Sequence, residues 1–227
     1  DRSFGVSCLV CHIDAHGAMH GPPASIDALF HANVTDEIYA DPTELCGTCH
    51  GQPSVPEHNQ LASFKGSPAD KAGKSCSHCH MPRVKRLQST RSYSEITGRR
   101  HTWIGSRSLR MLKRGADLSI MHRSGKVVIS LTNRAGHILP GDALRVLTLD
   151  VHISEPVHAI ARESRAFISA RSGHGGSDNR LRAGETREFE YPASPEVKVD
   201  AKLVYRLTPD AVESEWVVMI ERSHYFP

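Results

Sequence analysis

Long apolar runs are missing from this chain of 227 residues. No stretch approaches the roughly 18 consecutive apolar residues that a membrane-spanning helix needs, and no signal-peptide pattern opens the sequence. It is therefore expected to be a soluble, mature segment. Strong charge bias is missing too: the formal net charge is +3, which gives no reason to expect nucleic acid as a partner. There is no phosphate-binding glycine loop, no G-x-S-x-G elbow and no H-E-x-x-H helix. The most consequential lack is local. Residues 1 to about 100 are rich in Gly, Pro, Ser, His and Asp but almost free of aliphatic runs. Such a segment cannot offset its own ordering entropy, so something other than its side chains must supply its core.

What the chain has instead is 15 histidines and 6 cysteines. All six cysteines fall into one repeated pattern: CLVCH (Cys8, Cys11, His12), CGTCH (Cys46, Cys49, His50) and CSHCH (Cys76, Cys79, His80). The pattern suits covalent attachment of haem c. Two thioethers reach the two vinyl groups on one porphyrin edge, and the adjacent histidine turns under the ring to bind iron. Zinc knuckles and disulfides use the same C-x-x-C spacing, but neither requires a histidine after every second cysteine. At the frequency of histidine here, three such coincidences arise about once in several thousand sequences. Three covalently attached haem c groups would give the first hundred residues the apolar plates they lack. Attachment occurs outside the cytoplasm, so a periplasmic or extracellular location is expected.

Each iron then needs a second axial ligand if it is to be closed. A closed iron passes electrons, whereas an open one binds a substrate. His152 alternates with Leu147, Leu149, Val151 and Ile153, so it is expected to face solvent. His158, His174 and His224 read as solvated loop or terminal residues, and His122 as exposed after a strand. His78 sits between the cysteines of its own motif, badly placed for that motif's iron. His16, His20, His31, His58, His101 and His137 are left. Met19, Met111 and Met121 read more readily as packing.

The order GVSCLVCH, FHANVTDEIYADPTELCGTCHG, GKSCSHCHMP, RRHTWIG and NRAGHILPGDALR, with LRAGETREFEY and AKLVYRL near the end, resembles a large family of multihaem c-type cytochromes. The resemblance covers nearly the whole chain. It implies a haem-rich N-terminal region followed by a small β-sandwich. It also implies distal ligands at His101 (H-aromatic-x-G), His137 (GH-x-x-P) and His31 (before the second motif). His137 would then reach from the β half onto an iron, with Gly136 and Gly141 admitting the porphyrin and Pro140 stiffening the turn. Relatives of this kind include extracellular cytochrome filaments, and His16 and His20 are candidates for contact with a haem of a neighbouring subunit. His58 is a candidate to replace His31.

From Lys126 the chain turns β. KVVISLTN, LRVLTLDVHI, REFEY, VKVDAKLVYRL and EWVVMIE read as antiparallel strands with one wet face. Val197, Val199, Ala201, Leu203 and Tyr205 are expected inside. A short helix with Leu109 and Leu112 at i, i+3 is expected to open the linking stretch. Arg83, Lys85, Arg86, Arg91, Arg99 and Arg100 form a basic run that suits a solvated face, haem propionates or an acidic redox partner.

The sequence thus predicts an α+β chain in three parts: a trihaem domain over 1–105, a connecting segment over 106–124 and an antiparallel β-sandwich over 125–227. Its expected role is electron transfer through closely spaced bis-histidine haems, to redox partner proteins or other cytochromes, as a carrier or a filament subunit. No nucleic acid and no membrane span are expected. The alternative is a reductase with one open iron, acting on a small nitrogen or sulfur oxyanion.

Overall fold

The structure, a computed structural model, describes residues 6–21, 33–52, 54, 58–87, 93–172 and 177–227. The fold is α+β, and its two halves are built on different principles.

The C-terminal half is a sandwich of two antiparallel sheets. Strands β5 (Ala116–Arg123), β6 (Lys126–Asn133) and β9 (Thr186–Pro192) pair in the order β5-β6-β9. Strands β7 (Val146–Ser154), β8 (Ala159–Phe167), β10 (Val197–Arg206) and β11 (Val217–Phe226) pair in the order β11-β10-β7-β8. The period-2 alternation of β-branched and aliphatic residues drives this arrangement, because one face of each sheet must leave water. Leu147, Leu149, Val151 and Ile153 of β7 meet Val197, Val199, Ala201, Leu203 and Tyr205 of β10, with Leu118, Ile129 and Leu131 facing them from the other sheet. His152 faces solvent as its register requires. A bulge opposite Leu203 and Val204 carries one extra residue on β11, which lets the consecutive Met219 and Ile220 both turn inward.

Three elements differ from the sequence reading. β5 lies within the stretch 106–124 expected only to connect the halves, yet it pairs with β6 along its whole length, so the sandwich begins before residue 125. His122 is accordingly inside a strand and not beyond one, and His224, near the terminus, is exposed as expected but lies on β11. The polar sequence AIARESRAF forms β8, an edge strand whose pairing with β7 needs only one buried end, at Phe167. Helix α6 (Leu109–Gly115) buries Leu112 but leaves Leu109 exposed.

The N-terminal half consists of short pieces. In chain order they are α1 (Cys8–His12), the parallel pair β1 (Met19–Gly21) and β2 (Asn33–Thr35), α2 (Pro42–His50), α3 (Gln60–Phe64), α4 (Pro68–Lys71), α5 (Cys76–His80), and a hairpin of β3 (Arg83–Leu87) and β4 (Glu95–Arg99). Among the described residues before Leu112, Phe64 alone is a buried apolar side chain. Polar side chains instead hold the helix starts: Asp41, Asn59 and Ser67 each accept a bond from a backbone N–H of the first turn. No described helix is long and apolar enough to cross a membrane.

The loop from Arg134 to Arg145 joins the halves. Its root is Asn133, 1% exposed, whose amide nitrogen lies within 2.9–3.0 Å of the carbonyls of His137, Leu181 and Arg182, while its oxygen accepts from Ala135 N–H at 2.8 Å. The outer side of the loop rests on α3 and α4. Ile138 N–H donates to Ser63 Oγ at 3.3 Å, Gln60 donates to the Gly141 carbonyl, and Asp142 pairs with His58 at 3.2 Å. A Cβ on Gly136 would lie 3.1 Å from the Phe64 ring and 3.2 Å from Ala69.

Two consequences are measurable. Leu149 is fully buried at the sheet–sheet interface, so Leu149→Ala is expected to destabilise the sandwich by about 2–5 kcal/mol in urea unfolding followed by circular dichroism. Asn133→Ala leaves buried carbonyls without their donor, at about 1–3 kcal/mol. It is expected to speed amide hydrogen exchange across residues 134–142 while the pairing of β7 with β10 stays protected.

Candidate functional site

All three Cys-x-x-Cys-His motifs lie on helix. Helices α1 and α5 each consist of one motif, and α2 ends in one. On a helix, residues at i, i+3 and i+4 share a face, so both thiols and the imidazole of each motif point the same way. The three motifs also meet. The Cys46 thiol hydrogen-bonds Cys76, which holds Cys76 down at about 7 and pushes Cys46 up. Burial raises the Cys11 thiol, and the nearby Cys49 and Cys8 add to it. The second motif therefore stands between the first and the third. All six cysteines are free.

Two of the expected distal histidines lie beside a motif histidine. His101 and His12 have ring centroids 6.2 Å apart, and so do His137 and His80. An imidazole nitrogen binds a metal at about 2.0 Å and lies about 1.1 Å from its ring centroid, so two rings ligating one ion from opposite sides stand about 6.2 Å apart. Each of the four Nδ1 atoms is held by a backbone carbonyl: His12 by His20 (2.9 Å), His80 by Ile104 (2.6 Å), His101 by Arg99 (3.1 Å) and His137 by Ile138 (2.8 Å). A carbonyl only accepts, so Nδ1 carries the proton and Nε2 keeps its lone pair, the form that a metal requires. Burial, with His80 and His50 nearby, also lowers the pKa of His137 and keeps it neutral.

The same reasoning separates the other histidines. Nδ1 of His78 accepts from the Ser75 N–H at 2.9 Å as part of a capping box, so its proton is on Nε2 and that nitrogen has no lone pair to offer. His20 meets Asp14 at 3.1 Å and Asp36 at 3.2 Å, one carboxylate on each nitrogen. His58 is engaged by Asp142 and does not stand beside a motif histidine. His16 is exposed. His31 lies outside the described residues, so His50 has no partner assigned among those described.

Both loop glycines lie close to a protein ring. A Cβ on Gly136 would crowd the Phe64 ring at 3.1 Å, and one on Gly141 would lie 2.8 Å from Cε1 and 3.1 Å from Nδ1 of His137. Tyr39, which no sequence pattern marks, stacks on His12 with ring centroids 5.3 Å and planes 23° apart. Arg83, Lys85, Arg86 and Arg99 of the basic run lie on the β3–β4 pair and Arg100 just after it, whereas Arg91 lies outside the described residues. The pair is tied to the end of α5 by Arg99 Nη1, 3.3 Å from the Ser77 carbonyl and 3.4 Å from that of Met81.

The residues fit a haem better than the competing groups. Among the described residues no three His, Cys, Asp or Glu side chains gather as a metal cluster, whereas zinc takes four protein ligands. A haem iron asks for only two, because the porphyrin supplies the rest. Val6, Leu9, Val10, Leu87 and Ile96 are exposed around the motifs and the hairpin, apolar surface that large flat groups could cover.

No family model matches the chain, and no curated protein matches its sequence. Among solved structures, a chicken interferon gamma receptor alpha chain aligns over 64% of each chain at 9% identity with a TM-score of 0.27, which carries no structural meaning. The crystal structure of a penta-heme cytochrome c552 from Thermochromatium tepidum aligns over 96% of this chain and 76% of that one, with a TM-score of 0.64 and 19% sequence identity. The similarity spans both halves, and the chain shares its overall fold with that multihaem cytochrome.

Proposed function

We propose that the chain is a trihaem c-type cytochrome that carries electrons between redox partners outside the cytoplasm. The observation that carries this reading is the pair of histidine couples, each separated by 6.2 Å and each with Nδ1 bound to a carbonyl. Likeness of fold to a penta-heme cytochrome c552 supports it.

In this reading Cys8 and Cys11, Cys46 and Cys49, and Cys76 and Cys79 hold three haems by thioether bonds. His12 and His101 ligate the first iron, and His80 and His137 the third. His50 ligates the second, with His31 as its partner. Haem supplies one-electron redox chemistry at each site. The chain's own part is to fix the ligands. Backbone carbonyls keep Nε2 of His12, His80, His101 and His137 unprotonated, Asn133 and Gly141 seat the His137 loop, and the contact of Cys46 with Cys76 brings two sites close together. Guanidinium groups of the β3–β4 hairpin suit haem propionates, since a planar fork matches a carboxylate.

The test counts haem by pyridine haemochrome and mass, then adds carbon monoxide to the reduced protein. Three haems per chain and no Soret shift are expected, and His137→Ala is expected to open one iron and produce the shift. Zinc without haem would overturn the cytochrome reading. A shift in the unaltered protein would replace the carrier by a reductase with an open iron, acting on a small nitrogen or sulfur oxyanion.

A further inference from the structure

The two histidine couples agree in separation but not in orientation. The ring planes of His80 and His137 are 16° apart, close to parallel, whereas those of His12 and His101 are 58° apart. Two aromatic side chains accompany the crossed couple. Tyr39 ends the 3-10 turn Glu37–Tyr39 and stacks on His12 at 5.3 Å with the planes 23° apart. That turn is fixed from behind by Asp36, whose carboxylate accepts from Ile38 N–H at 3.0 Å and pairs with His20 at 3.2 Å. The His20 carbonyl in turn holds His12 Nδ1. Tyr39 and the His20 carbonyl thus fix the ring from its face and from its edge. On the other side, Trp103 meets His101 edge-on, with centroids 5.8 Å and planes 78° apart. Trp103 takes φ = +40°, a conformation that bulky residues adopt only where the surroundings impose it. The parallel couple is held differently, by the loop glycine Gly141 against the edge of His137 and by the Ile104 carbonyl on His80.

Resting on the cytochrome reading above, we infer that Tyr39 and Trp103 are positioning residues that keep His12 and His101 crossed, so that the first iron is electronically distinct from the third. The physical reason lies in the ligands. An axial imidazole interacts by π overlap with the iron d orbital perpendicular to its own plane. Parallel rings act on the same orbital and split the dxz and dyz pair widely. Crossed rings act on both and leave the pair nearly degenerate. A ferric low-spin iron of the first kind gives a rhombic, three-feature electron paramagnetic resonance spectrum, and one of the second kind a single feature at much lower field. Ligand orientation fixed by surrounding contacts is one of the means by which a protein tunes a metal site.

The experiment is low-temperature electron paramagnetic resonance of the oxidised holoprotein, with haem count and carbon monoxide response recorded on each sample. The unaltered protein is expected to show a low-field feature that His101→Ala removes and a rhombic set that His137→Ala removes. Tyr39→Leu is expected to convert the low-field feature largely to a rhombic one at an unchanged haem count, while Tyr39→Phe, which keeps the stacked ring, retains it. Trp103→Leu, at an exposed position, provides an independent variant with the same expected shift, so that the inference stays testable if Tyr39→Leu does not fold. Only rhombic signals in the unaltered protein would overturn the inference while leaving the cytochrome reading intact. So would a low-field feature lost with His137 and not with His101, or one unmoved by both leucine variants. Failure of the cytochrome reading looks different, as absent haem and no low-spin ferric signal.

Discussion

The constraint on which the rest depends is the apolar deficit of the first hundred residues. Phe64 is buried there, against Gly136 and Ala69, but no other described apolar side chain before Leu112 is. Helices of four to nine residues with polar caps do not cohere by themselves, because helix stability in proteins comes mainly from packing an apolar face. In the proposed reading the cohesion comes from haems held at the three motifs and from the sandwich beside them. The cysteine spacing would then be a folding device as much as a chemical one, each covalently held plate supplying apolar area where the sequence supplies none.

The sandwich then acts as a rigid support. Its core is dense and continuous, and Asn133 and Leu139 fix the loop that leaves it, the latter through paired backbone bonds with Leu181. Because the loop is fixed at its root, His137 reaches the first half in a defined position, and α3 receives it through Ser63, Gln60 and Phe64. The β half thereby places His137 beside the motif histidine His80 of the other half. Separating the halves would part the two rings and expose Phe64 together, so in the proposed reading iron coordination and domain packing are coupled.

Proton placement on the imidazoles sorts the described histidines more sharply than their positions do. Four rings place Nδ1–H on a carbonyl and so leave Nε2 free, whereas His78 receives an N–H at Nδ1 and His20 is held by two carboxylates. The difference is one of local backbone direction. His78 and His80 are two residues apart on the same turn, yet one caps its helix and the other points at the Ile104 carbonyl from beyond the hairpin.

The sequence by itself determined the three Cys-x-x-Cys-His motifs, on which the haem reading rests, and much of the β half. The spacing of cysteine pairs followed by histidine is local, and period-2 alternation states which face of β7 and β10 is buried. His101 and His137 were legible through resemblance to a family, not through any pattern of their own. Tertiary structure alone decided which rings stand together, because His12 and His101 are far apart in the chain and nothing local couples them. It also decided that Gly141 lies against the His137 ring, that β5 belongs to the sandwich, and that AIARESRAF is a strand. An edge strand needs little apolar content when its neighbour supplies the pairing. Local spacing puts cysteine and histidine on one helix face, but the relative orientation of two imidazoles is set by tertiary packing, between the halves for His80 and His137 and within the first half for His12 and His101, and no single stretch of sequence encodes it.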